Sequence, residues 1–391
     1  KFTVGNITIN EGDEITLNGT AGKVYKGELP LIETDITSDY LTHFLGLCDN
    51  VRRLKVRTNA ETPADAKRAL DFGAEGIGLF RIEHMFYGEG SEEPLFHLQE
   101  MIMANNQGER KTALDSLFPF MKNDIKETLR AMQGLPVTIR LMDPPLHEFI
   151  PHDAKRQKKL AEALNINAEE LERRSDALKE SNPMMGHRGV RLGITHPEIT
   201  EMQARAILEA AAELSSENVK TFPEIMIPLT GMETEYNHQE KIVRDVANNI
   251  EGLDNYMVGT MMEIPRASFV ADRIAETAEF FSFGTNDLTQ MAFGFSRDDT
   301  GGFMPAYLEN ELLPEDPFAS LDEGVCELVK MGIERGRKTK PNLKVGICGG
   351  HGGEPKSVHF CHGVGMDYVS CSPFRVPIAR LAAAQAVLNE E

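Results

Sequence analysis

From Leu54 onward the sequence repeats a short apolar run followed by a helix-like segment, and it does so eight times. The runs lie near residues 54–58, 76–80, 137–141, 225–229, 257–262, 280–283, 344–347 and 367–370. Because parallel strands joined by helices close on themselves at eight repeats, this pattern predicts an α/β fold, a (β/α)8 barrel of the TIM type. The chain exceeds the roughly 250 residues of a plain barrel. The excess follows the second and third runs, where we expect extra helices.

Two neighbouring runs end at acidic residues. Glu263 follows the fifth run, and Gly284, Thr285, Asn286 and Asp287 follow the sixth. Because parallel strands end at the same face of the sheet, the two carboxylates should converge beside the Gly-Thr-Asn turn. Such a pair suits Mg2+, which proteins hold with one or two carboxylates plus substrate oxygens. An alternative stays open, in which each carboxylate only caps the helix that follows it.

Cations and a thiol occupy other strand ends. Arg81 and Arg140 follow the second and third runs, Arg188 lies in the glycine-rich loop 181–191, and Cys348 follows the seventh run. The planar guanidinium fork suits carboxylate and phosphate oxygens. Each residue also has an ordinary explanation, as an ion-paired arginine or a small buried cysteine. As a set, they indicate a site that stabilises an enolate and a transferring phosphoryl group, with Cys348 moving a proton at carbon.

Composition excludes some classes of partner. The formal net charge of -20 argues against nucleic acid and anionic membranes as main partners. No run approaches the roughly 18 apolar residues of a membrane span, and no secretory signal is present. The five cysteines are widely spaced, which fits a reducing compartment, and we expect a cytoplasmic protein. The sequence opens on Lys1 rather than Met, so we expect a piece of a longer protein.

Six longer motifs carry a resemblance to a known family. They are GLFRIEHMF (78–86), TIRLMDPPLHEF (138–149), NPMMGHRGVRLG (182–193), MMEIPRA (261–267), FSFGTNDLTQM (281–291) and GICGGHGGEP (346–355). Together they resemble the phosphoenolpyruvate-utilising enzyme family, and its dikinase members in particular. The stretch GTAGKVYKGELP (19–30) resembles the end of the family's swivelling phosphohistidine domain. The resemblance therefore implies the end of that domain at 1–30, a linker at 31–50 and a phosphoenolpyruvate/pyruvate-binding barrel at 51–391.

The resemblance also implies roles for the strand-end residues. Arg81 and Arg140 would bind the phosphoryl and carboxylate groups of the substrate and act in catalysis, and Arg188 would add a further cation beside it. Substrate contacts would also come from Gly284, Thr285, Asn286, Glu263 and Asp287. The last two would ligate Mg2+, and Cys348 would protonate the enolate carbon.

The family reaction converts ATP, phosphate and pyruvate into AMP, diphosphate and phosphoenolpyruvate through a phosphohistidine carrier. The sequence contains no match to the nucleotide-binding domain or to the phosphohistidine itself, so we expect only the pyruvate half of the reaction here. The implied partners are the phosphohistidine domain of the same full-length enzyme and a second copy in a homodimer.

One departure from the family pattern concerns Gly350, which stands where the family has Glu. We therefore expect weaker orientation of the Cys348 loop. Two alternatives remain, a non-catalytic docking or dimerisation module and a synthase-type relative.

Overall fold

The computed structural model describes residues 1–18, 22–31, 38–88, 90–151 and 153–390. The chain divides into two compact units, residues 1–43 and 44–391. Part of the stretch matched to the phosphohistidine domain (19–21) and part of the expected linker (32–37) lie outside the described residues. The functional identity of residues 1–30 and 31–50 therefore stays a prediction.

The first unit contains two small antiparallel sheets. Strands β1 (Phe2–Val4) and β2 (Ile7–Ile9) pair in one, and β3 (Ile15–Asn18) and β4 (Lys23–Lys26) pair in the other. Most of their side chains are exposed, with Ile9 buried. Sheets of two strands have little capacity to bury apolar surface, which is why their inner faces remain largely open to solvent.

The second unit is a closed barrel of eight parallel strands, as the repeat pattern predicted. The strands are β5 (Lys55–Asn59), β6 (Ile77–Arg81), β7 (Pro136–Arg140), β8 (Phe222–Ile227), β9 (Met257–Met262), β10 (Phe280–Gly284), β11 (Lys344–Cys348) and β12 (Tyr368–Cys371). They follow one another around the barrel in sequence order, and β12 pairs with β5 to close it. The (β/α)8 architecture is therefore confirmed, with strand bounds that differ from the predicted ones by at most a few residues.

Helices surround the barrel and fill the two long excursions. Within the described residues they are α1 (Asp39–Val51), α2 (Pro63–Asp71), α3 (Glu92–Met103), α4 (Gln107–Ala131), α5 (Ala154–Ala163), α6 (Ala168–Ala177), α7 (Val190–Thr195), α8 (Pro197–Ser216), α9 (Glu233–Ala247), α10 (Pro265–Phe269), α11 (Ala271–Ile274), α12 (Thr285–Phe293), α13 (Met304–Glu309), α14 (Glu323–Thr339), α15 (Pro355–Gly363) and α16 (Val376–Leu388). The extra helices α3 and α4 follow β6, and α5 to α8 follow β7, where the excess length predicted them. None of the described helices combines the length and apolar character that a bilayer-crossing helix needs.

The barrel strands are buried along nearly their whole length. All five residues of β10 are buried, and Phe280, Phe281 and Phe283 are completely inaccessible to solvent. A strand covered by helices outside and by barrel side chains inside has no solvent-facing side, so its sequence reads as a continuous apolar run. This is why the strands could be recognised from the sequence.

The segment between β9 and β10 differs from the single helix that the repeat pattern predicts after each strand. It forms two short helices, α10 and α11, which meet at Val270. Val270 has φ −120° and ψ 20°, outside the helical region, so the helix is interrupted there. The connection still returns the chain to the start of β10, and the parallel pairing of β9 with β10 is intact.

Candidate active site

The strand register brings the predicted strand-end residues to one rim of the barrel. Arg81 pairs with Arg140 where β6 and β7 end, and Gly284 pairs with Cys348 where β10 and β11 end. Glu263 comes directly after Met262, which pairs with Phe283. All of these positions lie at the carboxyl ends of the strands, the face at which TIM barrels carry their active sites.

Asp143 joins two of the arginines. Its Oδ2 lies 3.0 Å from Arg140 Nη1 and accepts a 2.5 Å hydrogen bond from Arg188 Nη2, while its Oδ1 accepts one from Arg188 Nε at 3.2 Å. Burial opposes ionisation of Asp143, but Arg140 and Arg188 outweigh it and hold the pKa of its carboxyl below the usual range. A second contact of Arg188, 3.6 Å from Nη1 to Asp287 Oδ1, links this pair to the end of β10. Asp143 therefore fixes two guanidinium groups at one place.

Further carboxylates hold the other faces of the arginines. Arg140 donates from Nη2 to Glu83 Oε1, and both side chains are buried. The half-buried Arg81 donates to Glu61 Oε1 at 2.7 Å, and the other oxygen of Glu61 lies 2.9 Å from His84 Nδ1. The guanidinium groups are thus oriented by the protein rather than left to rotate, which reduces the entropy they lose when an anion binds.

Glu263 is a buried acid with several charged side chains close to it. Its Oε1 accepts a 2.7 Å hydrogen bond from the backbone N–H of Leu229. Burial, followed by the charges of Asp287 and Asp143, raises the pKa of Glu263 well above its usual value, and Arg140 and Arg188 only partly oppose this. The capping alternative is wrong for Glu263, because α10 begins without a side-chain cap. Helix α12, which contains Asp287 in its first turn, likewise begins without one.

The donor set at this rim fits a hard divalent cation. Glu263 and Asp287 repel each other without a cation between them, and a bound Mg2+ would relieve that repulsion. Within the described residues, no cluster of three or more His, Cys, Asp or Glu side chains is arranged to hold a metal. A magnesium ion here would therefore depend on two carboxylates, with the remaining positions taken by substrate oxygens and water.

Several buried polar atoms at this rim have no hydrogen-bond partner among the described residues. They include Asn286 Oδ1, Arg140 Nε and Glu83 Oε2. Buried polar groups are nearly always paired with protein or with ordered water, because an unpaired one costs about 1–3 kcal/mol. A cluster of unpaired groups is what a site for a polar ligand presents before the ligand binds.

The loop after β11 is fastened to the start of α12. His351 Nδ1 lies 2.7 Å from Thr285 Oγ1, and His351 Nε2 lies 3.0 Å from the carbonyl oxygen of Pro317. Gly349 has φ +111°, a backbone conformation that favours glycine, and it brings the main chain beside Thr285 and Asn286. These contacts set where Gly284, Thr285 and Asn286 lie relative to Cys348.

Cys348 is held in the thiol form. Its side chain is buried beside Leu79, Met226, Met261 and Phe280, and Sγ donates to the carbonyl oxygen of Phe283 at 3.7 Å. Burial raises the pKa of the Cys348 thiol to about 11. A thiol with that pKa carries its proton at neutral pH, which a proton donor requires. The alternative interpretation, in which Cys348 is only a small apolar side chain of the core, describes its packing equally well.

Gly350 stands in open space. A Cβ added at this position would meet no atom within 4 Å. Its carbonyl oxygen accepts a 3.3 Å hydrogen bond from Arg375 Nη1, and the neighbouring His351 makes the two contacts described above. The expectation that the loop is poorly oriented without Glu at this position stays a prediction, and these bonds show how the loop is held.

The residues that orient the arginines and the loop after β11 are not among those that the sequence predicts for the site. They are Glu61, Glu83, Asp143 and His351. Glu83 contacts Arg140 across 57 residues of sequence, and no periodicity connects them. The one available signal was the acidic residue two positions after the Arg81 strand end.

Comparison with known proteins places the chain in a family. A family model described as PEP-utilising enzyme, PEP-binding domain, matches residues 37–388. The chain therefore belongs to the phosphoenolpyruvate-utilising enzymes, and the matched region includes the whole barrel.

Individual relatives narrow the similarity. The chain is 50% identical to pyruvate, phosphate dikinase from Clostridium symbiosum over 396 residues, which cover 100% of this chain and 45% of the relative. It is 51% identical to pyruvate, phosphate dikinase from Rhizobium meliloti, covering 98% of this chain and 43% of the relative. A chloroplastic pyruvate, phosphate dikinase from Mesembryanthemum crystallinum is 53% identical, with 98% and 41% covered. The chain spans less than half the length of these curated relatives.

Proposed function

We propose that this chain is the phosphoenolpyruvate/pyruvate-binding part of a pyruvate, phosphate dikinase and carries out the pyruvate half of its reaction. The observation that supports this most is the joint arrangement at one rim of Arg140 and Arg188 on Asp143, the crowded acid Glu263 and the protonated thiol of Cys348. The similarity to dikinases over nearly the whole chain supports the same assignment.

The arginines would bind and orient the substrate. Arg81 and Arg140, adjacent at the strand ends, would hold the phosphoryl and carboxylate groups of phosphoenolpyruvate, and Arg188 would add positive charge beside them. Backbone and amide groups of Gly284, Thr285 and Asn286 would contact the three-carbon acid at the start of α12. Glu263 and Asp287 would hold Mg2+, which when bound supplies Lewis-acid stabilisation of the enolate oxygen and the phosphoryl group.

In the direction of pyruvate, the P–O bond of phosphoenolpyruvate breaks and a P–N bond forms on the histidine of the phosphohistidine domain. The enolate left behind takes the Sγ proton of Cys348 at its terminal carbon, which gives pyruvate and a thiolate. That thiolate must regain a proton before the next turnover, and burial favours the thiol form at equilibrium. In the opposite direction the thiolate removes the proton and the enolate oxygen attacks the phosphohistidine.

The proposal implies two partners. One is the phosphohistidine domain of the same full-length enzyme, which must deliver its histidine to this rim, and the other is a second copy in a homodimer. A cytoplasmic location stays a prediction from the cysteine usage. The alternative of a non-catalytic docking module would leave the buried unpaired polar atoms at the rim without a ligand.

The test is transfer to a supplied carrier. The 391-residue chain is mixed with Mg2+, phosphoenolpyruvate and a separately produced phosphohistidine domain of a dikinase, and histidine phosphorylation is followed by 31P NMR while pyruvate is assayed. We expect stoichiometric pyruvate and phosphohistidine, both lost in Arg140→Met. Cys348→Ser should still transfer the phosphoryl group but release pyruvate slowly. A docking module would produce neither product while still binding the carrier domain.

A further inference from the structure

The opposite, amino-terminal mouth of the barrel contains a separate cavity of about 530 Å³. Its apolar wall is formed by Pro136, Phe222 and Met257, each the first residue of a barrel strand, together with Pro223 and Tyr256. This volume lies within the 300–1,000 Å³ of ordinary small-molecule sites. Nothing in the proposed reaction uses this end of the barrel.

The floor of the cavity carries more positive than negative charge. Glu224 accepts hydrogen bonds from Arg57 Nη1 at 2.8 Å, Lys344 Nζ at 2.7 Å and Thr138 Oγ1 at 2.6 Å. Burial by itself would raise the pKa of Glu224, but Arg57 and Lys344 outweigh it and hold that pKa below the usual value, so the acid is ionised. Two cations therefore share one carboxylate, which leaves one net positive charge at the base of a largely apolar cavity.

Lys344 has hydrogen-bond donors that are not all paired with oxygen acceptors among the described residues. Its ammonium group has three N–H donors, and its hydrogen-bond acceptors among the described residues are Glu224 and the thioether sulfur of Met257, 3.1 Å away. A thioether is a weak acceptor, so the N–H group directed at Met257 has no oxygen partner among the described residues. The Lys344 side chain is 29% exposed against 2% for Glu224, so the ammonium is the charged group within reach of an incoming ligand.

Arg57 is less available. The residue is 5% exposed, and its guanidinium donates to Glu224 and Thr138 and lies 4.0 Å from the centre of the Tyr368 ring. Arg57 thus neutralises Glu224 from the barrel interior. The excess charge therefore lies on Lys344, at the edge where the cavity opens.

We propose that this cavity binds a small organic anion with a flat apolar body, of the class of aromatic monocarboxylates. The carboxylate would bond Lys344 and complete its donor set, and the ring would pack against Phe222 and Tyr256. One negative charge on the ligand balances the one excess positive charge of the site. The competing explanation is that Arg57, Glu224 and Lys344 only fill the bottom of the barrel.

The test uses benzoate as the probe and the methyl groups of methionine as reporters. The 391-residue chain, labelled with 13C at the methionine methyls, is titrated with benzoate. Met257 lies in the cavity, and Met262, at the other end of the same strand, reports on the candidate active site. We expect a saturable shift of the Met257 signal with Met262 unchanged, and we expect the titration to be the same with Mg2+ and oxalate present.

Three variants make the test specific. Lys344→Gln should weaken benzoate binding at least tenfold, and Lys344→Arg should largely restore it. Lys55→Gln, at an exposed lysine outside the cavity, should leave binding unchanged. An unchanged Met262 signal verifies that each variant is folded. No saturable shift at Met257, equal binding in Lys344→Gln, or a shift that oxalate abolishes would each overturn the proposal, because the cluster would then be a structural filling only.

Discussion

Replacing Asp143 by Asn isolates the charge that holds two arginines together. Asp143 is 2% exposed, and its carboxylate contacts Arg140 at 3.0 Å and Arg188 at 2.5 and 3.2 Å. Asn has nearly the same volume, so no cavity forms. It removes the charge and turns an N–H group of the amide toward a guanidinium.

The expected loss in free energy of unfolding follows from the contacts that Arg140 and Arg188 keep in Asp143→Asn. Arg140 keeps Glu83. Within the described residues Arg188 keeps one ionic contact, 3.6 Å to Asp287, and a 3.4 Å hydrogen bond to the neutral carbonyl oxygen of Met184. Breaking a buried ion pair by removing one partner costs about 3–5 kcal/mol, because the other charge stays buried without compensation. We expect Asp143→Asn to lower the free energy of unfolding by about that amount, a large share of a typical total of about 5–15 kcal/mol.

The dependence on pH gives a second signature. The arginines lower the pKa of Asp143 in the folded chain, so its stabilisation is fully present above the unfolded pKa of about 3.9 and is lost as the pH falls toward the folded value. The difference in free energy of unfolding between the wild-type chain and Asp143→Asn should therefore narrow as the pH falls below about 4.

Urea unfolding followed by far-UV circular dichroism measures the effect, since the chain has no tryptophan to report by fluorescence. Asp176→Asn is the matched control, because it removes the same charge from an exposed ion pair with Lys179. The control should unfold with the wild-type chain. Equal stability of Asp143→Asn and Asp176→Asn would refute the claim that Asp143 holds the arginines.

Three further predictions concern other parts of the rim. Burial and neighbouring acids raise the pKa of Glu263, so its ionisation costs stability as the pH rises above the unfolded pKa of about 4.3. Glu263→Gln should therefore raise the melting temperature of the metal-free chain at pH 8. It should also abolish any increase in melting temperature that Mg2+ causes. An added Cβ at Gly352 would lie 2.1 Å from the carbonyl oxygen of Ser370, so Gly352→Ala should lower the free energy of unfolding by about 1–3 kcal/mol, whereas Gly350→Ala should change nothing. Cys348 is buried and its pKa is about 11, so iodoacetamide at pH 7.5 should alkylate it only after unfolding; mass spectrometry showing it among the first labelled cysteines would contradict this.

Much of the fold could be read from the sequence because the barrel strands are buried on both sides. A run such as Phe280–Gly284 has no polar face, and its ends are marked by the residues that project from the rim. Interruptions within a helix could not be predicted from the sequence in the same way. The interruption at Val270 depends on one residue's backbone angles, which hydrophobic spacing does not encode.

The sequence predicted which residues lie at this rim of the barrel, but not which of them contact one another. The rule that chemistry lies at the carboxyl ends of barrel strands selected Arg81, Arg140, Glu263 and Cys348 from position alone. The partners of these residues come from contacts between distant segments, such as Arg140 with Glu83. Which acid faces which arginine is decided by side-chain packing across the rim, and no sequence period reports it.

Calorimetry with oxalate, a planar mimic of the pyruvate enolate, tests the central claim most directly. If the rim of the barrel binds the enolate through arginines and a metal held by Glu263 and Asp287, oxalate should bind the 391-residue chain in the presence of Mg2+ and not in its absence. Binding should be weakened at least a hundredfold by Arg140→Met, while Arg173→Met, at an exposed arginine of α6, should bind normally. Oxalate binding that is independent of Mg2+, or unchanged in Arg140→Met, would contradict the account.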